Sequence, residues 1–217
     1  MNLDKYKYQY LITMIPNTFP IANMNTVSWK ELQQLIVKEL PILYKQRILQ
    51  LYCSTYPLIE PIIENYNVHY FGFERDESYV VPLFQQYKQY IKKRKLLVGL
   101  LQEEQIPYVQ GFFHHIISMS PPTENDNELQ DHLQETYRVL TAGGYMALWF
   151  TKNTYQEIMA TITAVKSSTF QMLDVKILSL KREKDLPINS VLFILKKPPK
   201  PVEEKQIVQI VTKQRYY

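Results

Sequence analysis

The chain has 217 residues, of which 46% are apolar and 21% charged, and its formal net charge is +4. That is enough for one domain with a sizeable core, and too mild a charge to require a nucleic-acid partner. One cysteine excludes an internal disulfide, and the short apolar run near the N-terminus, broken by Pro16, excludes a signal peptide or membrane span. A reducing, cytoplasmic setting is therefore expected.

Residues 1–27 show no clear period and are expected to form an N-terminal arm, with Tyr6, Tyr8 and Tyr10 alternating with polar residues. A helix is predicted over 28–40, with Ser28 and Glu31 as a capping box and Pro41 as its stop. Residues 47–53 read as the first strand. A second helix is predicted over 55–66, capped by Ser54 or Thr55, and a second strand over 68–74. A third helix over 78–93 would turn Val80, Val81, Phe84, Tyr87 and Ile91 inward, and 95–101 is the third strand.

The fourth strand is predicted over 112–119. The following helix repeats Leu129, Leu133, Thr136, Tyr137 and Leu140 at spacings of three and four. Asn125 or Asp126 is its cap, Glu128 lies in its first turn, Arg138 in its last, and Gly143–Gly144 is its stop. Another strand spans 145–150, so this unit is βαβ with parallel strands. Asn153 is expected to cap a helix running to about Val165. Strands over 172–180 and 190–197 are joined by a polar segment and should pair as an antiparallel hairpin. The prolines from Pro198 begin an extended tail, in which 205–212 is an alternating amphipathic patch. The expected architecture is α/β: a doubly wound, mostly parallel sheet over 28–197, flanked by the arm (1–27) and the tail (198–217).

The segment Leu133 to Leu148, LQETYRVLTAGGYMAL, resembles the helix–Gly-Gly–strand signature of class I S-adenosylmethionine-dependent methyltransferases. Leu133, Glu135, Arg138, Val139, Leu140, Gly143 and Gly144 match it, and Ala142 stands where the family has proline. Upstream, Pro107, Phe113 and Ser118 match the family's strand motif, with His114 in place of an Asp. The resemblance implies a Rossmann-like sheet ending in an antiparallel hairpin, and S-adenosylmethionine as cofactor.

It also assigns site residues. The family's glycine-rich loop after the first strand corresponds here to the glycine-free stretch that contains Cys53 and Ser54, where side chains narrow the site. Glu74, at the end of the second strand, corresponds to the acid that takes both ribose hydroxyls. Gln102 corresponds to the residue that meets the adenine amine, and His114 to the Asp of the fourth strand. Ser118 to Ser120 would border a substrate pocket. No group of residues has metal-ligand spacing, so no metal is expected. Methyl transfer requires positioning more than a dedicated acid or base, so no catalytic residue is assigned.

Two functions follow from these residues. One is a methyltransferase acting on an unidentified small-molecule, protein or RNA acceptor. The other is a methyltransferase-fold module that has lost its donor and binds a partner. A nucleic-acid binder rests only on the basic cluster Lys92 to Lys95, which also suits a helix C-terminus.

Overall fold

The computed structural model describes residues 26–54, 57–101, 105–121, 126–152, 154–181 and 188–199. The described elements, in chain order, are β1 (Thr26–Val27), α1 (Trp29–Glu39), β2 (Arg47–Leu51), α2 (Ile59–Tyr66), β3 (His69–Glu74), α3 (Glu77–Gln86), α4 (Lys88–Lys92), β4 (Leu96–Leu100), β5 (Phe113–Met119), α5 (Asp126–Val139), β6 (Leu140–Thr151), α6 (Tyr155–Lys166), β7 (Gln171–Leu180) and β8 (Ile188–Lys196). All the strands join one sheet in the order β1-β7-β8-β6-β5-β2-β3-β4. Strands β2 to β6 are parallel to their neighbours among themselves, whereas β8 runs antiparallel to both β6 and β7. The expected doubly wound sheet with a C-terminal hairpin is the observed one.

Both faces of the sheet are covered. Alternation along a strand sends successive side chains to opposite sides, and a sheet buried on both sides needs apolar residues at nearly every position. In β6, Trp149 joins one core with Leu32 and Ile36 of α1 and Ile59 and Ile62 of α2. Its neighbours Leu148 and Phe150 join the other, with Leu129 and Leu133 of α5 and Ile158 of α6. Helices α1 to α4 thus lie on one face, and α5 and α6 on the other.

The capping box of α1 forms as expected: Ser28 Oγ accepts from Glu31 N–H at 3.2 Å, and Glu31 accepts from Ser28 N–H at 2.6 Å. Several other expectations are corrected. Helix α2 starts at Ile59, not near 55, and Ser54 is not its cap; residue 55 lies outside the described residues. Leu58 precedes it, and its N–H donates to the buried Gln50 side chain at 3.0 Å. The third predicted helix divides at Tyr87 into α3 and α4, and its buried face is Leu83, Tyr87 and Tyr90. Val81 and Phe84 are exposed instead. The segment carries apolar residues almost all round, so its periodicity admits both phases. Thr154, not Asn153, caps α6, through a capping box with Glu157; residue 153 lies outside the described residues.

Gly143 and Gly144 do not end a helix. Strand β6 follows α5 directly, and the glycines sit within β6 where its register with β5 shifts, from Phe113↔Leu140 to His115↔Tyr145. Gly143 has φ +78°, and a Cβ on Gly144 would stand 2.8 Å from the His114 carbonyl oxygen. The pair therefore forms a bulge that bare backbone allows. The end of α5 is closed from elsewhere: the buried Lys197 ammonium donates to the carbonyls of Tyr137 at 2.6 Å and Leu140 at 2.8 Å. A cation there complements the helix dipole.

Of the expected arm, Thr26 and Val27 add to β7 as β1. Its tyrosines, and the amphipathic patch of the tail, lie outside the described residues.

Candidate functional site

The chain lays down β2, β3 and β4 outward in one direction, then returns to place β5 on the other side of β2. The strand order therefore reverses between β2 and β5. In open α/β sheets a ligand binds in the crevice outside the C-terminal strand ends at such a point. The groups at this crevice come from the turns after β2, β3 and β5 and from α5.

After β2 the backbone turns sharply. Tyr52 adopts φ +58°, a left-handed conformation that disfavours a bulky residue, and its N–H donates to Phe73 O at 2.8 Å. Its ring lies 6.1 Å from that of His132, and the Arg75 guanidinium stands 5.7 Å from the ring centre. Cys53 is turned away from the crevice. Its side chain is fully buried, with Sγ 3.0 Å from where a Cβ on Gly72 would stand, so β3 approaches closely only because residue 72 is glycine. Burial, with the nearby Glu74 charge, pushes the Cys53 thiol well up, so it stays protonated. Ser54 N–H donates to the Glu74 carboxylate, which closes the end of β3 over the turn. Glu74 is only 5% exposed.

After β5, Ser118 Oγ lies 2.9 Å from His132 Nε2. Burial, and then the Arg75 charge, depress His132 to about 4, so the imidazole is neutral at pH 7. Ser120 has φ +50°, and among the described residues its buried hydroxyl has no hydrogen-bond partner.

The crevice thus brings together Ser54 and Glu74 from the expected site set, with Cys53 behind them. It excludes His114, which stands at the opposite end of the sheet near the start of β5. There its Nδ1 accepts from Arg47 N–H at 3.1 Å, and burial and the Arg47 charge lower its pKa. Its neighbour His115 is buried against Gln46 at 2.8 Å. Gln102 lies outside the described residues. His132 was not anticipated, although its position, three after Leu129 and four before Thr136, puts it on the buried face of α5. Among the described residues no cluster of His, Cys, Asp or Glu could hold a metal ion.

The matched motif has a structural task of its own. Glu135 accepts from Ile106 N–H at 2.6 Å. Arg138 pairs with Glu135 at 2.7 Å and donates to the carbonyls of Tyr108 at 2.7 Å and Ile106 at 2.9 Å. This clamp ties the segment before β5 to α5. Its hydrogen bonds run to that segment, while Glu135 also interacts electrostatically with His132, one helical turn earlier.

Solved structures with this topology decide the fold. A [4+2]-cyclase, SpnF, superposes with a TM-score of 0.66 at 12% identity, over 78% of this chain and 81% of its own. An S-adenosylmethionine-dependent methyltransferase from Methanosarcina mazei gives 0.61 at 11% identity, over 76% and 98%. A geranyl diphosphate methyltransferase in complex with S-adenosylmethionine gives 0.61 at 10% identity, over 77% and 84%. The fold is that of the class I methyltransferases. No protein-family model and no curated protein sequence matches the chain. At these identities the methyltransferase fold is established and the chemistry is not, since one neighbour is by name a cyclase.

Proposed function

We propose that the crevice binds S-adenosylmethionine and that the protein transfers the methyl group to an acceptor. The observation that carries this reading is the buried Glu74 carboxylate at the C-terminal end of β3, beside the turn after β2. A carboxylate only accepts hydrogen bonds, and two adjacent hydroxyls of a ribose suit its oxygens. Ser54 holds that carboxylate in place through its N–H. The unpartnered Ser120 hydroxyl supplies a further polar contact, with Ser118 beside it on the acceptor side. Gln102 is retained in the proposal as the acceptor for the adenine amine. His114 is not.

Bound S-adenosylmethionine would supply a methyl group already activated on a sulfonium. The chain's part is then to orient the acceptor and exclude water. Tyr52 and His132 wall the crevice. Cys53 is not a nucleophile, because its thiol is buried and protonated. The acceptor is proposed to be a small molecule, a protein or an RNA, met in the cytoplasm.

Tyr52 favours a second reading, a binding module without a donor. Its side chain stands where the family has a bare glycine loop, and its ring borders the crevice beside His132. Isothermal titration with S-adenosylmethionine and, separately, S-adenosylhomocysteine distinguishes the two. Micromolar binding of either supports the methyltransferase. No binding at millimolar ligand leaves the fold intact and favours the module.

A further inference from the structure

The two edges of the sheet differ. On one side β1 is a two-residue strand, too short to template another. On the other side β4 is Leu-Leu-Val-Gly-Leu, with no charge, proline or bulge to discourage pairing. Among the described residues its backbone has a free side. Lys95 O accepts from Tyr70 N–H, and Leu101 N–H donates to Glu74 O, so the odd-numbered residues face β3. By alternation, the N–H and C=O groups of Leu96, Val98 and Leu100 point outward. Around this edge the surface is apolar. A cleft of about 360 Å³ runs beside it, lined by Phe71, Phe84, Ile91, Leu97 and Val98. Phe84, Leu97 and, nearby on α3, Val81 are 49%, 43% and 53% exposed.

We propose that β4 pairs antiparallel with β4 of a second copy of this chain, about a two-fold axis at Val98. The strand is complementary to itself in two respects. With Val98 opposite Val98, Leu96 falls opposite Leu100, so every outward-facing residue meets an outward-facing residue. Each such pair exchanges two N–H···O bonds. Leu97, whose side chain is exposed, falls opposite Gly99, which has no side chain. A Cβ there would lie 2.8 Å from Phe73 Cε1, so the gap in the pleat is fixed by packing beneath it. The knob of one copy meets the hole of the other. The interface is isologous and closes as a dimer, with one continuous sheet across both copies.

Sedimentation velocity on the full chain over a wide concentration range, with Val98→Pro and Leu97→Lys, is the test. Val98 N–H points away from β3, so proline there removes an intermolecular donor and no ladder bond within the chain. Leu97→Lys changes an exposed side chain and serves if the proline variant does not fold by circular dichroism. The expected result is a dimer for the parent chain and loss of that dimer in each folded variant. A Val98→Cys variant should also form a disulfide-linked dimer under oxidising conditions, because the two-fold sets residue 98 against itself and Cys53 is buried. A monomeric parent at every concentration overturns the proposal. So does a dimer that survives both substitutions, which would place the interface elsewhere.

Discussion

Two acids in this molecule do the same local work in different settings. Glu135 and Glu74 each accept a backbone N–H from a loop, of Ile106 and of Ser54 respectively. Glu135 is matched by the Arg138 guanidinium, which spends itself on two further carbonyls. Glu74 is a buried carboxylate at the C-terminal end of β3, where it accepts one backbone N–H, that of Ser54. The first arrangement is saturated and holds the scaffold. The second leaves acceptor capacity facing a place where ligands bind in such folds. The clearest sequence motif therefore marks architecture, and the weaker signal marks the proposed site.

Arg138→Ala should break the clamp most severely. It strands two carbonyls and the Glu135 carboxylate, at a cost of about 4 kcal/mol in urea unfolding, the scale of several charge-assisted bonds. Ligand affinity of the folded fraction should be unchanged, and a loss of affinity would mean that the clamp and the crevice are one unit.

Acid should weaken the fold next, at both ends of the sheet. His132 is held at about 4 by burial and then by Arg75, and His115 at about 4 by burial and then by His114, against an ordinary 6.5. Between those values the unfolded chain takes up protons that the folded chain refuses, so stability is full above pH 6.5 and falls as the pH drops toward 4. The loss should be on the order of 3 kcal/mol for each histidine, read as a fall in the melting temperature from pH 7 to pH 4.5. A flat profile would show that neither imidazole is held neutral.

Glu74→Ala should weaken S-adenosylmethionine by about 2 kcal/mol in titration, roughly 30-fold in Kd. Unaltered affinity would take the carboxylate out of the site. The smallest effect sharpens the choice of reading. Tyr52→Gly relieves a left-handed side chain at φ +58° and opens the crevice, so donor binding should tighten by about 1 kcal/mol. Weaker binding would mean that the tyrosine ring is part of the ligand's wall.

The fold was legible wherever apolar residues alternate or recur at helical spacing, as in β5, α5 and β6, and the capping box of α1 located its start to the residue. The phase of α3 was not legible, because apolar residues surround that helix and only the packing of Leu83, Tyr87 and Tyr90 selects one face. The glycine pair was visible but its task was not: a helix stop and a strand bulge use the same residues, and only the approach of His114 O to Gly144 distinguishes them. In the proposed site, the position of Glu74 at a strand end was readable, and it lies there, buried. His114 misled because position in an aligned motif does not say which end of the strand the residue occupies. His132 and the left-handed turn at Tyr52 depend on contacts between segments far apart in sequence, which no local pattern encodes.

Lys197 carries a consequence for how the chain assembles. Its ammonium completes the carbonyls at the end of α5, contributed some sixty residues earlier (Tyr137 and Leu140), while β8 wedges between β6 and β7. The middle of the sheet is thus closed by the last of the described strands in chain order. Such distant closures are slow, because the loop must be ordered before the contact rewards it. Until β8 docks, the flank of β6 is an open template and the end of α5 is uncapped. The period of greatest exposure to mispairing should fall between synthesis of β6 and arrival of β8, which makes the C-terminal hairpin the keystone of folding even though it lies outside the crevice.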